Sequence, residues 1–212
     1  MTKFLPRVPI YYLLMLWVSF SYAKEKNPPL PYKNWSYVFV YPKALFAEVT
    51  FVQFLDTDGY LNTNPLPDLT TEDRESVNSW RRDIRRRSAI SNKGKMPPQW
   101  MQFCWDSLVD KKVYQTTIEF PPKVWSMMRT PVPASMGPYY HDNMVIGLAP
   151  GGKVRAWFNM PGENNILIGE VKTVSDSKLT TCKNKMAFKD GYPSSQELLS
   201  AIRGKTHPYG KW

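Results

Sequence analysis

Five arginines between positions 81 and 87, two histidines and two cysteines are the residues of this 212-residue chain with the most chemical potential. A nucleophile with its base needs a histidine or an equivalent neighbour, yet neither His141 nor His207 falls in a hydrolase pattern, and no Gly-x-Ser-x-Gly elbow occurs. The histidines are not spaced with Cys104 and Cys182 for a zinc site. Asp56-Thr57-Asp58-Gly59 resembles the opening of a calcium loop, but Asn62, Asn64 and Asp68 follow without a bidentate glutamate, so a turn is the expected use. Gly151-Gly152 joins two expected strands with no helix after it, which weakens a phosphate-loop reading. Neither metal nor cofactor is expected. Carboxylates such as Asp56 with Asp58, or Asp106 with Glu119 on adjacent strands, read as surface charge. The eight tryptophans and twelve tyrosines could line a sugar site, although most fall where core packing is the default. The expectation is a protein that is not an enzyme.

The arginines fit binding better. From Thr70 the pattern predicts a helix: Thr70 or Thr71 caps, Glu72, Asp73 and Glu75 fill the first turn, and Val77, Trp80 and Ile84 recur at helical spacing up to Arg87. Arg81, Arg82, Arg85, Arg86 and Arg87 then lie at the negative end of the helix dipole, where each is favoured by a few tenths of a kcal/mol. The same residues also suit a docking patch, with Arg81 and Arg85 on one face and Arg82 and Arg86 on an adjacent one, offering forked donors to carboxylates or phosphates. A second candidate surface is the Thr130 to His141 loop, which is too apolar to be only a linker. It either packs down or presents Met136, Tyr139 and Tyr140 to a partner.

The compartment narrows the partners. Lys3 and Arg7, the apolar run Val8 to Phe20 and the small-x-small Ser21-Tyr22-Ala23 read as a cleaved export signal. The run is shorter than the ~20 residues of a spanning helix, and an uncleaved membrane anchor is the alternative. Cleavage after Ala23 leaves 189 residues and lowers the net charge from +10 to +8, because Lys3 and Arg7 are lost. A basic exported protein is expected to meet an acidic protein face or an anionic envelope surface, and export counts against nucleic acid. In that oxidising setting Cys104 and Cys182 are a disulfide candidate, buried free thiols being the other use.

The elements that would hold these residues are mostly strands. Lys24 to Lys33 is an extended, proline-rich lead, and residues 34–212 form one β-rich domain. Strands are expected over Trp35–Val40, Ala47–Leu55, Trp100–Leu108 and Lys112–Phe120, the last two joined at Asp110-Lys111. Asn143–Ala149 and Lys153–Phe158 make a further hairpin, and Asn165–Val174 another strand. Val124–Arg129 has room for one or two helical turns, and Pro193–Arg203 reads as a closing helix stopped by Gly204. The expected fold is α+β and β-rich, an antiparallel sheet or β-sandwich of seven to eight strands with about two helices on it.

Several blocks carry a family resemblance: Trp105-Asp-Ser-Leu-Val-Asp-Lys-Lys-Val-Tyr, Phe120-Pro-Pro, Arg129-Thr-Pro and Asp142-Asn-Met-Val-Ile-Gly-Leu-Ala-Pro-Gly-Gly-Lys-Val-Arg-Ala-Trp. In order and spacing, over roughly Trp35 to Glu170, they resemble a domain-of-unknown-function family of Gram-negative lipoproteins. Its members are often encoded beside type VI secretion spike proteins and phospholipase effectors. The resemblance implies an immunity-like protein of the periplasm whose partner is a secreted phospholipase. It supplies no catalytic residues. The chain lacks the family's lipobox cysteine, so a freely soluble periplasmic form is expected. The alternatives are a structural envelope protein on anionic lipid or peptidoglycan, and a glycan- or lipid-active enzyme.

Overall fold

The computed structural model describes residues 27–84, 88–133, 137–159, 164–185, 200 and 211–212. The expected export signal, Arg85, Arg86, Arg87, Met136 and all of the closing helix but Ser200 lie outside them. In chain order the strands are β1 Trp35–Pro42, β2 Ala47–Asp56, β3 Leu61–Asn64, β4 Thr71–Asp73, β5 Lys93–Gly94, β6 Pro98–Ser107 and β7 Lys112–Glu119. The helix α1, Pro122–Arg129, follows, then β8 Asn143–Ala149, β9 Lys153–Phe158, β10 Ile166–Ile168 and β11 Glu170–Ser175, with a 3-10 turn at Asp176–Lys178.

These strands form two sheets, one ordered β10-β9-β8-β1-β4 with β5 also on β1, the other ordered β11-β7-β6-β2-β3. The second is antiparallel throughout, but β1 runs parallel to both β8 and β4 in the first, which departs from the purely antiparallel expectation. The sheets meet across one aromatic core. Trp35, Tyr37 and Phe39 of β1 point into it, and Phe39 packs against Phe103 of β6 with ring centroids 4.9 Å apart. Fully burying each such ring stabilises the fold by about 2–3 kcal/mol.

Each sheet is also covered on its outer side. Val38 and Val40 alternate away from the main core and join Val145, Trp157, Trp80 and Ile84 in a second cluster. Strand β1 is therefore buried on both faces, and the unbroken Trp-Ser-Tyr-Val-Phe-Val run reflects that. Gly147 makes room for this layer: a Cβ there would lie 2.7 Å from the Trp80 ring and 2.8 Å from Trp157. On the other sheet, Phe51, Cys104 and Val113 are covered by Cys182 and Leu179. The Cys104–Cys182 disulfide fixes that strap, and Gln115 Oε1 accepts the N–H groups of Thr180 (3.0 Å) and Cys182 (3.1 Å).

Two backbone irregularities set which side chains face inward. A bulge at Thr50 shifts the register between Val49 and Phe51, so Val49 and Val52 both enter the core while Phe51 turns to the strap. Gly169, at φ +74, ends β10 on the first sheet and starts β11 on the second. The single strand expected over Asn165–Val174 is thus two strands in two sheets.

The helix count is also corrected: α1 is the one α-helix with described bounds, and it matches the turns expected at Val124–Arg129. The Thr70–Arg87 pattern does not form a helix over its described residues. Thr71–Asp73 is captured as an edge strand beside Val40–Pro42. Asp73 then accepts the Ser76 hydroxyl at 2.5 Å, and Asn78 adopts φ +61. Local side-chain bonds of this kind compete with helical ones, and the sheet edge decides the outcome.

Candidate functional site

The segment carrying the arginines is pinned by its polar residues at one end and its apolar ones at the other. Ser76 Oγ accepts the Arg81 N–H at 3.1 Å, while the Ser76 carbonyl accepts the Lys43 N–H at 3.1 Å. Trp80 turns under the chain to meet Trp157 and Trp212, with centroids 5.3 and 5.4 Å away, and Ile84 is fully buried. Between these anchors the two arginines differ. Arg81 donates to both oxygens of Asp83 at 2.8 Å and bonds Glu75, so its charge is met within the chain. Arg82 is exposed, and its carbonyl accepts the Asn165 N–H at 2.6 Å.

Asn159, only 3 % exposed, joins this segment to the tyrosine loop. Its Nδ2 donates to the Ile84 carbonyl and to Asn165 Oδ1 (3.0 Å), while its own carbonyl accepts the Tyr139 hydroxyl at 3.3 Å. Val132 and Tyr139 exchange backbone hydrogen bonds of 2.7 and 3.0 Å, closing the loop on itself. Tyr140 packs against Tyr32 at 5.4 Å, and Tyr32 in turn donates to the Met128 carbonyl at 3.0 Å. Tyr139 and Tyr140 are accordingly half-buried, and the loop packs down at both. Hydrogen bonds through Asn159 thus link the two candidate segments: its side chain reaches Ile84 and Asn165, whose N–H the Arg82 carbonyl accepts, and its backbone carbonyl accepts the Tyr139 hydroxyl.

The histidine in this region serves the core. His141 is 5 % exposed and stacks on Phe158 at 5.0 Å; burial lowers its pKa below the ordinary 6.5, against an opposing pull from Asp142. The neutral imidazole is favoured. Among the described residues no group of three or more His, Cys, Asp and Glu is placed to hold a metal ion. Asp56 is a turn residue, its Oδ1 accepting the N–H groups of Asp58 and Tyr60 at 3.0 Å. Asp106 and Glu119 lie at opposite ends of the β6–β7 hairpin, opposite Val113 and Trp100, so they are not a carboxylate pair.

Two other carboxylate pairs emerge that sequence reasoning missed. Glu48 faces Asp106 across β2 and β6, and Glu119 faces Glu170 across β7 and β11. The second pair lines a groove of about 540 Å³ together with Trp100 and Trp125. The turn expected at Asp110-Lys111 would set Trp100 opposite Pro121; the wider turn that forms sets Ser107 opposite Lys112 and Trp100 opposite Glu119, and the pairing with Glu170 depends on the sheet switch at Gly169.

A family model described as Protein of unknown function (DUF2931) matches residues 21–210. No curated protein and no solved structure matches the chain.

Proposed function

We propose that this chain, which belongs to the DUF2931 family of proteins of unknown function, is a periplasmic immunity-like protein that binds and neutralises a secreted lipase effector of the type VI kind. It acts by covering the effector's surface and makes or breaks no bond. The observation that carries this reading is the mounting of Arg82: an exposed guanidinium on a stretch held by buried Trp80 and Ile84 and braced through Asn159. An anchor on a rigid support loses little freedom on binding, and arginine is among the residues that dominate interface energies. The net charge, +10 for the whole chain and +8 without Lys3 and Arg7, favours fast encounter with an acidic partner face. The Cys104–Cys182 bond suits an exported protein. The resemblance of the Trp105, Phe120, Arg129 and Asp142 blocks to proteins encoded beside phospholipase effectors supplies the partner class.

The test is inhibition of such a lipase by the purified mature chain. Activity is expected to fall to background near equimolar protein, and Arg82→Glu to weaken inhibition at least tenfold with an unchanged melting temperature. Full lipase activity at saturating protein overturns the reading.

A further inference from the structure

We propose that the groove on the outer face of the second sheet, beside α1, is a glycan-binding site. It lies on the sheet opposite the one covered by the Arg82 segment, so its success or failure is separate from that of effector neutralisation.

The sheet register builds the site in two rows. The first crosses three strands as Trp100, Glu119 and Glu170, each directly opposite the next. The second, two residues along, runs Gln53, Gln102, Thr117 and Lys172. Directly opposed residues share a sheet face, so the rows form a continuous platform of polar groups with Trp100 at one corner. Trp125 of α1 forms a facing wall, its indole N–H donating to the Pro98 carbonyl at 2.7 Å, which fixes the ring.

This set of groups matches the two-sided chemistry of a sugar. A pyranose presents a C–H face to an aromatic ring and a rim of hydroxyls to planar amides and carboxylates. Trp100 and Trp125 offer the first; Glu119, Glu170, Gln102 and Thr117 offer the second. The acceptors are oriented before any ligand arrives. Gln53 donates to Gln102 Oε1 at 2.9 Å, and Gln102 donates on to Thr117 Oγ1 at 3.4 Å, leaving the threonine hydroxyl hydrogen for a ligand. Among the described residues neither Glu119 nor Glu170 has an ion-pair partner, although like charges directly opposite one another destabilise a sheet. Ligand hydroxyls donating to both would offset that repulsion. Lys172 follows Glu170 on the same side of β11, so the carboxylates do not stand in an isolated negative field. That favours a neutral polyhydroxyl ligand over a bare cation. A volume of about 540 Å³ falls within the 300–1,000 Å³ typical of ligand sites.

The experiment follows the indole N–H signals of Trp100 and Trp125 by NMR in the mature chain. Hexose oligomers, N-acetylhexosamine oligomers and, as the cationic control, tetramethylammonium chloride are added in turn. At least one oligosaccharide class is expected to shift both signals at millimolar concentration or below. Trp100→Ala or Trp125→Ala is expected to lower that affinity about tenfold or more. Glu170→Ala, at an exposed position, is expected to cost several-fold and keeps the test open if a tryptophan variant misfolds. The paired change Glu119→Gln with Glu170→Gln retains hydrogen-bonding oxygens and is expected to keep binding within a few-fold. No shift with any oligosaccharide, affinity unaltered in the alanine variants, or a response to tetramethylammonium alone overturns the proposal.

Discussion

Glu48 on β2 lies directly opposite Asp106 on β6, the one half-buried and the other fully buried. Burial first, and the neighbouring Asp106 second, push the Glu48 carboxyl up from 4.5 to about 7. Its pKa in the folded protein thus exceeds that in the unfolded chain, and the folded state holds the extra proton between those values. Stability is greatest below about pH 4.5 as far as this group is concerned, and is lost as pH rises through 7. Allowing for solvent screening, the change is about 1–2 kcal/mol. Glu48→Gln is expected to flatten that part of the profile and to raise stability at pH 8, which urea unfolding at a series of pH values checks. A wild-type midpoint that climbs steadily from pH 5 to pH 8, unaltered by the substitution, contradicts the assignment.

The Cys104–Cys182 bond spans 78 positions and holds the strap over Phe51 and Val113. On the chain-entropy estimate, closing a loop of that size stabilises by about 4.5 kcal/mol. Cys104→Ser with Cys182→Ser is expected to lose about 2–4 kcal/mol in denaturant unfolding and to speed hydrogen exchange at Thr180 and Cys182, whose N–H groups Gln115 holds. Gln115→Ala with the bridge intact is expected to speed exchange at those two amides while costing only about 1–2 kcal/mol.

Gly147 offers a sharper test of how the arginine segment is mounted. It sits inside β8 on the face that Trp80 covers, and the Gly147→Ala methyl would meet two indole rings below 3 Å. Displacing Trp80 is expected to cost about 1–3 kcal/mol. It would also shift Arg82, two residues on, so lipase inhibition is expected to weaken more than the loss of stability explains. Gly151→Ala is the control: its Cβ meets nothing within 4 Å, and only the strain of φ +75 remains. Equal inhibition by the two variants at a temperature where both are folded would disconnect Trp80 from the docking surface.

The sequence exposed those parts of the fold whose partners are close in the chain. The β6–β7 and β8–β9 hairpins follow from alternating residues on either side of Asp110-Lys111 and Gly151-Gly152. Prolines bound α1: Pro122 sits at its first turn, where a missing N–H costs nothing. The parallel pairing of β1 with β8 leaves no such local mark, because Ser36 and Asn143 carry no turn between them. Thr70–Arg87 misled for a related reason: Trp80 and Ile84 have helical spacing but reach the same apolar layer from an irregular chain. At the site, Arg82 and Tyr139 were each legible as polar or aromatic residues in suspect segments, whereas Asn159, directly after Phe158 at the end of β9, showed no pattern at all.

Asn159 is therefore the residue on which the two segments depend. Its amide donates to Ile84 and Asn165 from a buried position, its N–H reaches the Asn143 carbonyl at 3.3 Å, and its carbonyl receives Tyr139. Asn159→Ala removes the side-chain donor and leaves the buried Ile84 carbonyl and the half-buried Asn165 Oδ1 unmet, at a cost of about 2–3 kcal/mol. Asn159→Asp retains the shape but replaces the donor by a charged acceptor facing two acceptors, and is expected to destabilise at least as much at pH 7. Tyr139→Phe removes only the outer link and is expected to cost about 1 kcal/mol or less. If Asn159 supports both sides, Asn159→Ala combined with Tyr139→Phe loses less than the two single costs added, while inhibition by either single variant falls in proportion to the disorder it introduces at Arg82. Thermal unfolding of the three proteins, read beside hydrogen exchange at Arg82 and Asn165, distinguishes this from independent anchoring, in which Asn159→Ala leaves exchange at Asn165 unchanged.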